Sequence, residues 1–347
     1  MTGPLQAALV EAFAEAPLGG NGAGVVLLQA PAPTDWMQAL AARLQQSETA
    51  FLWRAADGEW RLRWFTPSCE VPLCGHATLA AVLALGQWGQ LALGQDLALQ
   101  SRSGALAVRL ESLDPASARI VLPSSGLAPQ PVPLYLAELL GEPPLAYWSS
   151  PLGYRVALMA EPFNLAALAE PSAQLQGQDR QGLVVMQALG LGQPEGQVQA
   201  QDPAPAQDQA RAQDQARAQD QGQVFSQGEP LDGRQAAGAN QPAQLPRPQV
   251  LGQAADYQLR FFAPGLGIAE DPVTGSAHAL VAPYWHERLG KLSVVGWQPS
   301  SSPGGMVCAE ADAGRIALTG RGHLLWDGRL EGGAWAPDQA SWSVCGP

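Results

Sequence analysis

Two short stretches of the sequence bring together residue types that could bind and orient a small anion. EVPLCGHA at 70–77 and EDPVTGSA at 270–277 follow one formula: Glu, any residue, Pro, an aliphatic residue, Cys or Thr, Gly, a polar residue and Ala. The match extends upstream, where LRWFTP at 62–67 corresponds to LRFFAP at 259–264. This pattern indicates an internal duplication whose two halves carry related sites.

Each stretch places a glycine and a polar residue in the first turn of a predicted helix. These are Gly75 with His76 in the first copy and Gly275 with Ser276 in the second. A helix N-terminus presents unpaired N–H groups and about half a positive charge, so both are candidate binding sites for a carboxylate. For one motif alone, glycines that only permit a tight turn and neighbours that only cap the helix are the simpler interpretation. Because the pattern occurs twice, we favour binding.

Asp271 is the more informative carboxylate of the two stretches, because its counterpart in the first copy is Val71. A titratable group that breaks an internal repeat is a better candidate for a functional role than one that obeys it. Asp271 is therefore a candidate site residue beside the second helix.

Three other kinds of site are not supported by the spacing. A zinc site at Cys69, Cys74 and His76 lacks a second pair of ligands at metal spacing. The glycine run GGNGAG at 19–24 lacks the G-x-G-x-x-G spacing and is not followed by a helix, which argues against dinucleotide binding. TGSAH at 274–278 is not a G-x-S-x-G nucleophile elbow, so a serine nucleophile is not indicated.

The elements that must position these side chains are short strands and a few helices. Residues 5–13 and 24–29 read as strands, and Thr34 is a plausible N-cap for a helix to about Leu44. SETAFLW and WRLRWF then read as strands joined by an Asp-Gly turn. The helix that follows has almost no polar face between Ala77 and Leu85, so it must be buried on all sides. A curved sheet is the natural wrapping.

The second half repeats this order, with a helix from about Ser276 to Trp285. KLSVVGW, GMVCAEA, RIALTG and HLLWDGRL follow as strands separated by Gly-rich turns. The predicted class is α+β, with two pseudo-symmetric lobes that each curl a mostly antiparallel sheet around a central buried helix. We expect an N-terminal lobe at 1–125, a C-terminal lobe at 126–329, and a final strand at 330–347 that can return to the first lobe.

A low-complexity insert at 192–252 interrupts the second half. Gln, Ala, Asp, Pro and Gly dominate it, and AQDQAR recurs in tandem from 206 to 217. Its only frequent apolar side chain is the alanine methyl group, which cannot bury enough surface to offset the entropy of ordering. The composition therefore predicts disorder, with local helix in the alanine-rich part as the alternative.

The overall composition excludes several classes of partner. The 347 residues carry a formal charge of −12 and a single lysine, Lys291, which argues against nucleic acid and anionic membranes. The N-terminus has no charged segment followed by an apolar one, and the longest apolar windows are too short to span a membrane. Four scattered cysteines are too few for a disulfide framework and fit a reducing compartment. We expect a soluble, cytoplasmic protein.

Three motifs together resemble one known family. SETAF, FTPSCEVPLCGHATLAA and GIAEDPVTGSAHALVAPYW are similar to the phenazine-biosynthesis isomerase (PhzF-like) family, whose fold is that of diaminopimelate epimerase. The likeness covers nearly the whole chain except the glutamine-rich insert. It implies two lobes with the active site between them, and a homodimer.

The resemblance also implies a role for Glu48, in SETAF, which falls on the family's catalytic glutamate. That residue moves a proton between carbons of a cyclic dihydro-hydroxyanthranilate, a reaction that needs no metal, flavin or nicotinamide. Apolar walls would raise the pKa of a glutamate, so Glu48 is expected to hold a proton near neutral pH. The other predicted site residues lie in the two duplicated stretches: His76 and Asp271 as catalytic groups, and Gly75, Gly275, Thr274 and Ser276 as binding groups for a small carboxylate substrate.

Two alternatives remain open from the sequence. Epimerases of this fold use two facing cysteines, one before each helix; Cys74 stands at the first position, but Thr274 stands at the second. The other alternative is a small-molecule binding protein that has kept the cleft and lost the reaction. Two departures from the family bear on substrate identity: SGNPA is GGNGA here, and the late Q-x-S-x-R-G-G pattern is QPSSSPGG at 298–305, without the arginine.

Overall fold

The computed structural model describes residues 3–190, 246–312 and 314–331. These residues include four α-helices and nineteen strands. The helices are α1 (Thr34–Leu44), α2 (Gly75–Gln87), α3 (Leu134–Leu140) and α4 (Gly275–Leu289). The strands of the first half are β1 (Pro4–Ala12), β2 (Asn21–Leu28), β3 (Glu48–Arg54), β4 (Trp60–Phe65), β5 (Glu70–Val71), β6 (Asp96–Ser101), β7 (Gly104–Leu113) and β8 (Ala116–Pro123). Those of the second half are β9 (Ala128–Pro129), β10 (Ala146–Ser149), β11 (Arg155–Leu158), β12 (Leu183–Ala188), β13 (Gln249–Val250), β14 (Gln253–Ala254), β15 (Tyr257–Ala263), β16 (Ile268–Asp271), β17 (Ser293–Gln298), β18 (Gly304–Asp312) and β19 (Arg315–Glu331).

Eight strands close into a ring around α2. β1 pairs with β2, β2 with β3, β3 with β4, and β4 with β6. The ring continues through β7 and β8 to β19, which pairs with β1. Helix α2 is buried from Gly75 to Gly86, as its apolar faces predict. Each fully buried leucine or valine of such a helix contributes roughly 1.5–3 kcal/mol, so burial on all sides holds α2 and its N-terminus in place.

The second half pairs its strands in a similar order around α4. β9, β10, β11, β12 and β15 follow one another, and β15 then pairs with β17, β17 with β18, and β18 with β19. The largest apolar cluster contains side chains of both α2 and α4. The predicted mixture of α and β structure, with few helices and an extensive sheet, is confirmed.

Each of the two duplicated sequence stretches contains a buried ion pair between an arginine and a glutamate. The Arg63 guanidinium donates two hydrogen bonds to Glu70, both 2.8 Å long, and Arg260 donates two to Glu270, both 2.7 Å long. Each pair ties the strand before the motif to the strand that leads into the helix. The first residue of EVPLCGHA and EDPVTGSA therefore has a structural role, because it fixes the entry into α2 or α4.

Two local predictions were wrong. RIALTG and HLLWDGRL belong to one continuous strand, β19, whose glycines do not make turns. A Cβ on Gly320 would lie 2.4 Å from Cδ1 of Phe13, and one on Gly322 would lie 2.4 Å from Cδ1 of Leu83, so these positions are small because side chains pack over them. Thr34 is the first residue of α1 rather than its cap: Pro33 precedes the helix, and the Thr34 hydroxyl accepts a hydrogen bond from Arg63.

Some predictions fall outside the described residues. The tandem AQDQAR repeat and the predicted insert up to residue 245 are among them, as is the terminal segment from 332. Within the described part, no helix is long and apolar enough to cross a membrane. Cys74 and Cys308 are free thiols, whereas Cys69 is disulfide-bonded, so the cysteines no longer argue for a reducing compartment.

Candidate active site

The N-termini of α2 and α4 meet at their first glycines. A Cβ built on Gly75 would lie 3.3 Å from Cα of Gly275, and one built on Gly275 would lie 3.4 Å from Cα of Gly75. A methyl group on Gly75 would be tight against the facing helix, and one on Gly275 would just touch it. The unpaired N–H groups and the partial positive charges of both helices are therefore directed into one small region.

Glu48 and His76 form the acid–base pair of this region. Glu48 begins β3, and its Oε2 atom lies 3.1 Å from Nε2 of His76 in the first turn of α2. The hydroxyl of Ser47 lies 3.2 Å from the same nitrogen. Both members of the pair are buried, at 8% and 4% exposure. The buried carboxylate of Glu48 therefore has the imidazole of His76 as a polar neighbour, in addition to the apolar walls that were expected.

Asn21 connects the first half of the site to Asp271 in the second half. Its Nδ2 donates to Oδ1 of Asp271 at 2.7 Å and to the carbonyl of Val273 at 3.1 Å, and lies 3.2 Å from Nδ1 of His76. Its Oδ1 accepts a hydrogen bond from the hydroxyl of Ser47 at 2.8 Å. Asn21 lies in the glycine run GGNGA, which departs from the family pattern, and it was not among the predicted site residues.

Thr274 and Gln298 fix the orientation of Asp271. The Thr274 hydroxyl donates to Oδ2 of Asp271 at 2.5 Å, and its backbone N–H donates to Oε1 of Gln298 at 2.9 Å. Nε2 of Gln298 donates to the carbonyl of Asp271 at 2.5 Å. Both carboxylate oxygens of Asp271 thus accept hydrogen bonds, one from Asn21 and one from Thr274. Gln298 was not predicted, although it opens the divergent QPSSSPGG stretch.

Ser276 lies in the first turn of α4 and has Tyr154 as its neighbour. The two hydroxyl oxygens are 3.3 Å apart. Tyr154 is partly buried, and its ring centroid lies 4.8 Å from that of Phe261. Sequence reasoning missed Tyr154 because it lies more than a hundred residues before the motif that it contacts.

Burial and charge shift the pKa values of three groups in the site. Burial raises the pKa of Asp271 to about 6, with the charge of Glu48 adding to the shift and His76 opposing it. Burial also raises the pKa of the Cys74 thiol to about 11, so that this thiol is neutral at pH 7. For His76, burial works against protonation, but Cys74 and Glu48 outweigh it and raise the pKa. Since the Cys74 thiol is uncharged at neutral pH, Glu48 is the neighbour to which the raised pKa of His76 is attributed there.

One group of side chains near the pair could hold a metal ion. Glu48, Cys74 and His76 each offer one ligand atom, and these atoms all lie within 4.8 Å of one another. A thiol binds metal as the thiolate, so an ion would first have to displace the proton that burial keeps on Cys74. These residues differ from the zinc set rejected from the sequence, because Glu48 takes the place of Cys69.

Comparison with known proteins identifies the family of this chain. The chain matches the family described as phenazine biosynthesis-like protein over residues 10–126 and 243–328. An uncharacterized isomerase from Pseudomonas aeruginosa is 33% identical over 321 residues, which cover 92% of this chain and 96% of that protein. A crystal structure of a PhzF-family phenazine biosynthesis protein from Enterococcus faecalis has a TM-score of 0.68 and 24% identity, and the match covers 94% and 99% of the two chains. The structure of a predicted epimerase from Pseudomonas aeruginosa has a TM-score of 0.58 and 19% identity, with the same coverage.

The matched relatives assign this chain to the isomerase class of enzymes, and a buried carboxylate beside an imidazole is compatible with that class. The chain belongs to the phenazine biosynthesis-like protein family, as its motifs predict, and the predicted isomerase is confirmed at the level of class. The two solved structures establish the fold alone, since each is under 25% identical to this chain.

Proposed function

We propose that the protein is a cofactor-independent isomerase that moves a proton between carbons of a small, cyclic carboxylate or amino-acid-like substrate. The observation that carries this proposal is the Glu48–His76 pair, 3.1 Å apart at the N-terminus of α2, where α4 also begins. Glu48 is the general acid and base. The site lies between two lobes, and the homodimer and the lobe boundary at 125/126 belong to the same proposal.

The reaction needs only one proton carrier. Glu48 takes a proton from a substrate carbon, and the electron pair of the broken C–H bond delocalises into the adjacent double bonds of the substrate. The carboxyl proton of Glu48, which can exchange with solvent, then forms a new C–H bond at a second carbon, and this step restores the Glu48 carboxylate. His76 stabilises that carboxylate before and after the transfer, while Asp271 orients a polar group of the substrate.

The meeting helix N-termini supply the binding energy for the substrate carboxylate. Backbone N–H groups of Gly75 and Gly275 are donors that need no side chain, so the carboxylate can approach both helices closely. Since Glu48, His76 and Asp271 are all buried, the elements around them must separate before a substrate can enter. Closure afterwards holds the substrate beside Glu48 for the proton transfer.

The racemase alternative is less well supported by the residues around the site. A two-base racemase needs one thiolate to accept a proton and a facing thiol to donate one. Burial raises the pKa of Cys74 to about 11, and Thr274, which has no readily ionised group, precedes α4 where the second cysteine would stand.

Incubation with a panel of cyclic amino acids in deuterated water, followed by NMR of carbon-bound deuterium, tests the proposal. Glu48→Gln is expected to lower the exchange rate by about 100-fold or more while keeping ligand affinity. Cys74→Ala is expected to exchange within a few-fold of wild type, and the exposed Glu59→Gln is the matched control.

Two outcomes would contradict the proposal in different ways. Exchange that survives Glu48→Gln but is lost in Cys74→Ala would favour the racemase. Folded wild-type protein that catalyses no exchange across the panel would favour a binding protein without a reaction.

A further inference from the structure

The strand registers align the two halves of the chain residue by residue. In the first half, Arg63 on β4 lies opposite Phe51 on β3. In the second half, Arg260, its counterpart in the duplicated sequence, lies opposite Val185 on β12. Phe51 and Val185 therefore occupy equivalent positions on equivalent strands.

The position equivalent to Glu48 has no side chain. Three residues before Phe51 is Glu48, and three residues before Val185 is Gly182. A Cβ on Gly182 would lie 2.5 Å from Cδ1 of Tyr154. The space that a second acid or base would need is therefore filled by the tyrosine ring.

Tyr154 reaches this space from the neighbouring strand. Arg155 on β11 lies opposite Leu183 on β12, and its N–H donates to the carbonyl of Gly182 at 2.7 Å. Tyr154 is thus beside Gly182, just as Ala23 on β2 lies opposite Glu48. The side chain that fills the second half of the site comes from the adjacent strand.

Both side chains face the residue that follows the first glycine of a helix. Oε2 of Glu48 lies 3.1 Å from Nε2 of His76 in α2, and Oη of Tyr154 lies 3.3 Å from Oγ of Ser276 in α4. Both helix N-termini therefore carry a pair of polar side chains. At α2 it is an acid–base pair, and at α4 it is a pair of hydroxyls.

The tyrosine hydroxyl is suited to donating a hydrogen bond and not to acting as a base. Burial raises the pKa of Tyr154; the hydrogen bond with Ser276 opposes this, and Asp271, Cys74 and Glu48 add smaller increases. The hydroxyl consequently keeps its proton at neutral pH and can donate it to an acceptor.

We propose that Tyr154 is a substrate-binding residue that, together with Ser276, donates a hydrogen bond to a carboxylate oxygen of the substrate at the N-terminus of α4. This assignment rests on the proposed function and deepens it, because it gives the two halves of the site different roles. Glu48 in the first half carries the proton, and the second half adds two side-chain donors to the backbone N–H groups that hold the carboxylate.

Calorimetric titration with 2-aminobenzoate, an aromatic cyclic carboxylate that cannot undergo the reaction, tests the assignment. Tyr154→Phe keeps the ring over Gly182 and removes only the hydroxyl. It is expected to weaken binding about tenfold, the effect of losing one hydrogen bond to a charged acceptor, with an unchanged melting temperature. Tyr284→Phe is the matched control, since its hydroxyl contacts Arg288 on the surface of α4. Deuterium exchange is measured on the same variants and on Glu48→Gln.

The outcomes separate this inference from the proposed function. Equal affinity of wild type and Tyr154→Phe, with exchange present, overturns the role of Tyr154 and leaves the isomerase intact. Weakened binding in Tyr154→Phe, with no exchange in any protein, supports Tyr154 and overturns the isomerase. A lower melting temperature with unchanged affinity marks a structural role only and refutes the inference. Absence of 2-aminobenzoate binding by wild type refutes the carboxylate chemistry of both.

Discussion

Replacing Asp271 with asparagine should change how the stability of the protein depends on pH. Burial raises the pKa of this carboxyl from 3.8 to about 6 in the folded protein. Between these two values the folded state binds a proton that the unfolded state has released. The free energy of unfolding of the wild type therefore falls as the pH rises through this window.

The size of the effect follows from the shift. One pKa unit corresponds to about 1.4 kcal/mol, so a shift of about two units corresponds to roughly 3 kcal/mol. Asp271→Asn lacks this contribution but keeps an amide oxygen that can accept the hydrogen bond from Asn21. Relative to wild type, the variant should gain most of these roughly 3 kcal/mol between pH 4 and pH 6.5. The window ends at pH 6.5 because, above this value, His76 differs in protonation between the folded and unfolded states and also changes the free energy of unfolding.

Urea denaturation at half-unit steps of pH, followed by tryptophan fluorescence, gives the difference in unfolding free energy between variant and wild type. The contributions of all other groups largely cancel in this difference. Asp312→Asn, which alters an exposed carboxylate, is the control and should show no trend. A difference for Asp271→Asn that stays constant from pH 4 to pH 6.5, or that falls, would refute the reasoning about its buried environment.

The remaining predictions concern packing and the duplicated ion pairs. Glu70→Gln removes the carboxylate that pairs with the buried Arg63 and should lower the free energy of unfolding by about 3–5 kcal/mol in urea denaturation. Glu59→Gln, which breaks an exposed ion pair, should lower it by less than about 1 kcal/mol. Equal losses in the two variants would contradict the role of burial. Gly320→Ala places a methyl group 2.4 Å from Phe13 and should cost about 1–3 kcal/mol by the same measurement. Gly126→Ala, which has open space around it, is its control, and a neutral Gly320→Ala would show that β19 can shift.

The duplicated motifs predicted the central elements of the fold because they carry local information. The apolar faces of α2 indicated burial on all sides, and the glycine–polar pairs marked the starts of α2 and α4. The end of α4 was placed too early, at Trp285, whereas the helix continues to Leu289. Gly290, in the left-handed conformation with φ of 62°, ends it, and this glycine was a readable signal.

Less could be predicted about the neighbours of each site residue. Glu48, His76 and Asp271 were predicted from motifs, and the structure brings their side chains into one network. Asn21 and Tyr154 were missed because their contacts depend on strand registers between distant segments. A lone asparagine in a glycine run was the only local sign of the first, and nothing near Tyr154 marks it as a site residue.

The long strand β19 belongs to the hydrogen-bonded ladders of both halves. Residues 315–321 pair with β8, and 315–319 also pair with β18, while 322–331 pair with β1. Neither helix can keep its complete wall of strands if this one segment is withdrawn. Both halves therefore depend on this strand for their complete sheets, and removing residues 315–331 is expected to destabilise both.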